Sequence, residues 1–266
     1  MTGRYPDKVV WITGASSGIG ASLARAFAAE GATLILSARR EARLVALREQ
    51  LGRTADDAMV LPLDVAATDT LPAAVEQALS LRGRIDVLIN NAGISQRSLV
   101  EDNTLDAARK LMEVNFFGLI GLTGEVLPHM IERRAGHVVM MGSVASYIST
   151  PKRSIYSASK HAVRAYADSL RAEVADRNVL VTLICPGYIR TEISQAALTG
   201  DGSRQGRDDE NILNGLDPDA AARRMVDAIH GQRNEFLIGG RETWAVYLKR
   251  FFPGVVARFL PRAVPK

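Results

Sequence analysis

Cysteine is almost missing from this chain: Cys185 stands alone among 266 residues. No intrachain disulfide can form, so a reducing compartment is the simpler setting and Cys185 reads as a small buried hydrophobe. Histidine is scarce too. His129, His137, His161 and His230 are scattered without ligand spacing, and no metal is expected. No stretch of 18 residues is free of charge, which argues against a spanning helix. The first ten residues carry no long apolar run behind their charges, so no cleavable signal sequence is expected. The main body also lacks a charge surplus: residues 1–240 hold 27 basic and 28 acidic side chains, and the net +4 comes from residues 241–266, with six Lys/Arg and one Glu. With no helix-turn-helix signature or extended basic stripe, a nucleic-acid partner is not expected. The setting expected is cytoplasmic.

What is present is a globular composition: 47% hydrophobic, 23% charged, 22 Gly and 10 Pro. The length suits one domain with a small appendage. Val9 to Thr13 is a short apolar run that stops at Gly14, and Ile19, Leu23, Ala26 and Phe27 make a helical stripe behind the glycines. Further apolar runs follow at 32–38, 59–63, 85–90 and 138–142, separated by helix-length segments such as 43–51. Such alternation predicts an α/β fold, a parallel sheet with helices on both faces. Ligands of such sheets sit beyond the carboxyl ends of the strands, where Gly14, Arg39, Asp64 and Asn90 fall.

The run Thr13-Gly14-Ala15-Ser16-Ser17-Gly18-Ile19-Gly20 is a tight turn or, in this strand-turn-helix setting, a cradle for a pyrophosphate at a helix start. After the second strand, the acidic residue that would bind the ribose hydroxyls of NAD is missing; Ala38, Arg39 and Arg40 stand there. Guanidinium pairs with a 2'-phosphate, so NADP(H) is expected over NAD(H), although two arginines can also form a solvated turn. Farther on, Ser143 precedes Tyr156 by 13 residues, and Tyr156 and Lys160 lie four apart, on one helix face. An ammonium beside a phenol favours the phenolate, which suits proton exchange near neutrality. The same pair is also a common surface contact.

Together the glycine run, Asp64-Val65, Asn90-Asn91-Ala92-Gly93, Asn115, Ser143, Tyr156 with Lys160, and Pro186-Gly187 followed by Thr191 resemble the short-chain dehydrogenase/reductase family in its ordinary-length form. The resemblance covers positions 9 to 191 in order. It implies a Rossmann-like doubly wound sheet of about seven parallel strands and a catalytic group of Asn115, Ser143, Tyr156 and Lys160. It also implies that Tyr156 exchanges the proton with a carbonyl or alcohol oxygen held by Ser143. Lys160 would hold the nicotinamide ribose, and Asn115 would fix a water that relays protons to Lys160 or else support a helix kink. Gly14, Ser16, Ser17, Gly18, Ile19 and Gly20 would surround the phosphates. Arg39 and Arg40 would take the 2'-phosphate, and Asp64 and Val65 would contact the adenine. Asn90, Ala92 and Gly93 would support the adenosine side, and Pro186, Gly187, Ile189 and Thr191 the nicotinamide end. His161 is not expected to act as a base.

Residues 1–240 thus form the expected nucleotide-binding and catalytic domain, with 192–217 as a substrate loop, mobile or carrying short lid helices. Ala145, Tyr147, Ile148, Ile155 and Tyr188 would supply either an apolar wall near Ser143 or ordinary packing. In the 241–266 extension, Trp244, Tyr247, Leu248, Phe251, Phe252, Val255, Val256, Phe259 and Leu260 form an apolar stripe that Pro253 should break. With Lys249, Arg250, Arg258 and Arg262 beside it, the stripe is either a peripheral contact with an anionic membrane or a face covered by protein. The extension loosely resembles hydroxysteroid- and retinol-dehydrogenase-like relatives, which implies a hydrophobic substrate. The function expected is NADP(H)-dependent interconversion of a carbonyl and an alcohol; reduction of a 3-oxoacyl thioester and a non-catalytic NADP-sensing role remain as alternatives. The resemblance further implies a homodimer or homotetramer built through helices around 104–127 and 153–174.

Overall fold

The computed structural model describes residues 3–52 and 57–263. Seven strands, β1 (Val9–Thr13), β2 (Thr33–Ser37), β3 (Met59–Val60), β4 (Val87–Asn90), β5 (Gly136–Met141), β6 (Val179–Pro186) and β7 (Glu235–Ile238), form one parallel sheet in the order β3-β2-β1-β4-β5-β6-β7. The order reverses between β1 and β4, which opens a crevice at their carboxyl ends. Alternate residues of each strand serve opposite faces: Val10 and Ile12 belong to one core, Val9 and Trp11 to the other. Because both faces are covered, the strands read as unbroken apolar runs.

Helices α1 (Gly18–Ala29), α2 (Glu41–Leu51) and α8 (Pro218–His230) contribute to the first core. The second takes in α3 (Leu71–Ser80), α5 (Gly118–Glu132) and α6 (Ser154–Glu173). A short α4 (Leu105–Met112) joins α5 through a π-helical turn, Glu113–Phe117. The stretch Leu105–Glu132 is long and apolar enough to cross a membrane by length and composition, a test that the lack of an uncharged 18-residue run did not anticipate. Its hydropathy has another cause here: Leu119, Leu122, Val126 and Met130 are buried in the second core.

One expectation needs correction. The third strand is only two residues long, although Leu61 N–H and Leu63 N–H still donate to Leu36 O and Ala38 O. Of the two readings of residues 192–217, the structure has a short helix, α7 (Glu210–Leu213), and the segment is tied to the body where Leu198 N–H donates to Ser95 O and Arg97 N–H to Leu198 O, both at 2.8 Å. The long β6 went unnamed in the sequence reading, yet its apolar run from Val179 to Pro186 is paired on both sides. In the extension, α9 (Trp244–Phe251) and α10 (Pro253–Phe259) meet at Pro253, which occupies the first turn of α10, where its missing N–H costs nothing.

Candidate active site

The turn after β1 opens the crevice. Gly14 has φ +65° and a Cβ there would lie 2.9 Å from the Ala92 backbone, so only glycine leaves the chain this close to the turn after β4. Asn91 ties the two turns together, its Nδ2 donating to Thr13 O at 2.9 Å and to Gly14 O at 3.3 Å. The resulting crevice, about 470 Å³, is lined by residues 16–20, Arg39, Arg40, Asp64, Val65, Ala92, Gly93 and Thr191. Arg40 reaches back across the glycine turn and donates from Nη2 to Ser16 Oγ at 3.1 Å and Ser17 Oγ at 3.2 Å. Arg39 instead lies 4.0 Å from Asp64. Arg204, from the substrate segment, adds a third guanidinium.

Asn90 does not join this crevice. Its side chain is buried and Nδ2 donates to Thr123 Oγ1 on α5 at 2.9 Å, so it fastens strand to helix. Successive residues of a strand face opposite ways, and the neighbouring Asn91 takes the place on the crevice wall.

A second cavity of about 430 Å³ holds Ser143, Tyr156 and Lys160 on its wall, together with Pro186, Gly187 and Ile189. It shares Ile19, Asn91, Gly93, Ile94, Thr191 and Ile193 with the first, so the two form one continuous groove. Tyr156 and Lys160 lie in the first turns of α6, on the face turned inward. Gln96 Oε1 accepts the Ile155 and Tyr156 N–H groups at 2.8 and 3.1 Å and pins that helix end. The Tyr156 hydroxyl has no hydrogen-bond partner among the described residues. Lys160 Nζ donates to Met141 O at 2.8 Å and lies 5.9 Å from the Tyr156 ring centroid. Burial pushes the Lys160 amine below its usual value, and the charge of Tyr156 opposes that shift.

Ser143 starts a short 3-10 turn. Its Oγ accepts from Ala145 N–H at 3.1 Å and donates a long, 3.3 Å bond to Pro186 O, which leaves its hydrogen available for a better acceptor. Asn115 is fully buried in the π turn, a feature frequent at functional sites. Its Oδ1 accepts from Ile94 N–H at 2.8 Å, and its Nδ2 donates to Ile94 O at 3.0 Å and Ser159 Oγ at 3.1 Å. It borders neither cavity directly. A Cβ on Gly93 would lie 3.3 Å from Asn115 Oδ1 and 3.6 Å from Lys160 Nζ, so Asn115 stands just behind the lysine. His161 Nδ1 lies 2.8 Å from Ser157 O, away from the group.

Of the apolar wall expected from sequence, Ala145, Ile148 and Tyr188 line the cavity. Tyr147 instead lies under Arg164, 4.3 Å from its guanidinium, and Ile155 packs outside with Leu111 and Leu198. Other parts of the wall were missed by sequence reasoning: Arg153 at the start of α6, Arg97, Ile212 and Glu242 from distant segments, and Ala245, Leu248, Val256, Phe259, Leu260 and Ala263 of the extension. The extension therefore closes one side of the cavity, while Trp244, Tyr247, Phe251 and Phe252 remain exposed on its outer side.

A family model described as short chain dehydrogenase matches residues 8–201. Over 257 residues the chain is 43% identical to a Drosophila melanogaster protein called dehydrogenase/reductase SDR family protein 7-like, covering 95% of this chain and 79% of that one. A short chain dehydrogenase/reductase from Burkholderia phymatum, solved in complex with NAD, superposes with a TM-score of 0.84 at 24% identity over 95% of this chain and 96% of that one. An alcohol dehydrogenase from Thermococcus sibiricus, complexed with 5-hydroxy-NADP, gives 0.75 at 26% identity over 88% of this chain and 97% of that one.

Proposed function

Since the chain belongs to the short-chain dehydrogenase/reductase family of oxidoreductases, we propose that it interconverts a carbonyl and an alcohol by hydride transfer with NADP(H) in preference to NAD(H). The observation that carries this reading is the meeting of Ser143, Tyr156 and Lys160 on a cavity continuous with the glycine-turn crevice. A nicotinamide dinucleotide suits that groove. The turn at Gly14 admits no Cβ, and the far end offers Arg40, Ser16 and Ser17 with no carboxylate directly after β2. Solved neighbours hold NAD in one case and an NADP derivative in the other, so the preference is argued from these residues.

When bound, the nicotinamide supplies or accepts the hydride. In the reductive direction Tyr156 gives its hydroxyl proton to the carbonyl oxygen, and Ser143 donates a hydrogen bond to that oxygen as negative charge develops. Lys160, anchored on Met141 O, keeps N–H donors for the ribose and favours the tyrosinate left behind. Asn115 acts as a positioning residue by holding Ile94 and the backbone beside Gly93. In oxidation Tyr156 is the base. Ile148, Tyr188, Leu248 and Val256 favour a hydrophobic substrate.

The exposed aromatic side of the extension supports a peripheral contact with an anionic membrane surface, because Arg250, Arg258 and Arg262 flank it and make no ion pair among the described residues. Homo-oligomerisation through α4, α5 and α6 is the remaining part of the reading; a monomer in analytical ultracentrifugation at micromolar concentration would reject it.

The deciding experiment is NADPH consumption against steroid ketones, retinaldehyde, aromatic aldehydes, medium-chain ketones and acetoacetyl thioesters. Tyr156→Phe should lower turnover by roughly 10²- to 10⁴-fold, the range for a lost general acid, with NADPH affinity kept within a few-fold. Retained turnover would remove Tyr156 from the proton transfer. Thioester turnover alone would favour a 3-oxoacyl reductase, and silence with tight NADPH binding would favour a sensing role.

A further inference from the structure

The cavity wall carries a positive charge that its ion pairs do not absorb. Arg97, after β4, and Arg153, at the start of α6, both line the cavity, with side chains only 5% and 13% exposed. Asp209 is the carboxylate between them. Its Oδ2 accepts from Arg97 Nε at 2.9 Å and from Arg97 Nη2, whereas Arg153 Nη2 stands 3.6 Å away. Arg97 is completed by Ser95 Oγ and the Gln96 carbonyl. The Arg153 side chain donates no hydrogen bond among the described residues, and its Nε is buried without a partner. Glu242, the carboxylate on the cavity wall, already accepts the Tyr188 and Gly240 N–H groups, each at 2.9 Å, and pairs with neither arginine.

A buried guanidinium with five donors and one counter-ion that takes no hydrogen bond from it is unfavourable until an anion completes it. Burial first, and then the charge of Arg97, weaken Arg153's hold on its proton, a strain that a bound anion would relieve. The helix end does not compete for such an anion, since Gln96 Oε1 takes its first N–H groups. Arg153 Cζ lies 5.9 Å from the Tyr156 ring centroid, so an anion held there sits close to the oxygen that Tyr156 would protonate. Leu248, Val256 and Phe259 border the same cavity with apolar surface.

We propose that Arg153 is an oxyanion-recognition residue of the substrate subsite. The substrate is then an aldehyde or ketone with a carboxylate or phosphate ester near its carbonyl and an apolar chain under the C-terminal helices. This rests on the reading of the cavity as the substrate site, so its test needs no turnover. Calorimetry on the full chain would compare octanoate, octyl phosphate and 1-octanol. The anions should bind roughly 30-fold more tightly than the alcohol, about 2 kcal/mol at ~1.4 kcal/mol per tenfold. Arg153→Gln should shrink that gap to within a few-fold, and Arg153→Lys should restore part of it. Equal affinity for the three ligands overturns the proposal, as does a gap that survives in Arg153→Gln. Whichever anion binds more tightly identifies the oxyanion. Arg153-dependent binding without turnover of any carbonyl would sink the catalytic reading and leave the anion site standing.

Discussion

The cofactor preference can be tested at Arg40. Replacing it with Ala removes a guanidinium that lies across the glycine turn on Ser16 and Ser17, at 3.1 and 3.2 Å. The side chain is exposed and the serines keep access to water, so folding stability should change little. A charge-assisted hydrogen bond to a phosphate contributes about 1.5–3 kcal/mol when sheltered, and exposed ion pairs reach only about 0.2–1 kcal/mol. At the mouth of a crevice the expected loss is intermediate, about 1–2 kcal/mol, or roughly 5- to 30-fold in kcat/KM for NADPH at ~1.4 kcal/mol per tenfold. NADH has no 2'-phosphate, and its kcat/KM should stay within about twofold. Arg39 is drawn toward Asp64, so Arg39→Ala should have the smaller effect. Since the interaction is electrostatic and exposed, raising salt from about 0.05 M to about 0.5 M should narrow the wild-type difference between the cofactors. An unchanged NADPH/NADH ratio in Arg40→Ala, or an equal fall for both, would refute the assignment of the 2'-phosphate to this turn.

Asn115→Ala strips the Ile94 N–H and carbonyl of their side-chain partners inside the fold and should cost about 2–4 kcal/mol in urea unfolding; kcat should fall more than KM rises, and a loss of stability without that split would make the residue merely structural. Burial pushes His137 down to about 4. Below the unfolded value near 6.5 the unfolded chain takes up a proton that the folded chain refuses, so stability is complete above about pH 6.5 and falls toward pH 4, by about 3 kcal/mol for this group; His137→Gln should flatten that part of the urea profile, and identical profiles would show that His137 does not contribute. For the extension, Phe251→Ser with Phe252→Ser should reduce flotation with phosphatidylserine vesicles severalfold, and a wild-type protein that never floats would reject the membrane contact in favour of a protein-covered face.

Much of the fold was legible because buried parallel strands leave unbroken apolar runs; Val9–Thr13 was bounded to the residue. The short β3 was not, since its apolar run continues beyond the point where it stops pairing as a strand. The catalytic spacing was legible for a local reason, that Tyr156 and Lys160 share one helix face whatever surrounds them. Asn90 shows the limit. Two adjacent asparagines are equivalent in a sequence, and only the twist and packing of β4 against α5 turn one inward to Thr123 and the other to the crevice.

By itself the sequence determined the order of strands and helices, the glycine turn and the catalytic pair, because these depend on contacts a few residues apart and on which side chains can leave water. Tertiary structure decided the rest. Arg153 is three residues from Tyr156, but Arg97 and Asp209 come from two other segments and Leu248, Val256 and Phe259 from the extension, so nothing local marks these as neighbours of the Arg153–Tyr156 helix end. Their meeting is a product of long-range packing over the carboxyl end of the sheet. The unpartnered Nε of Arg153 exists only there, where burial excludes the water that would have satisfied it.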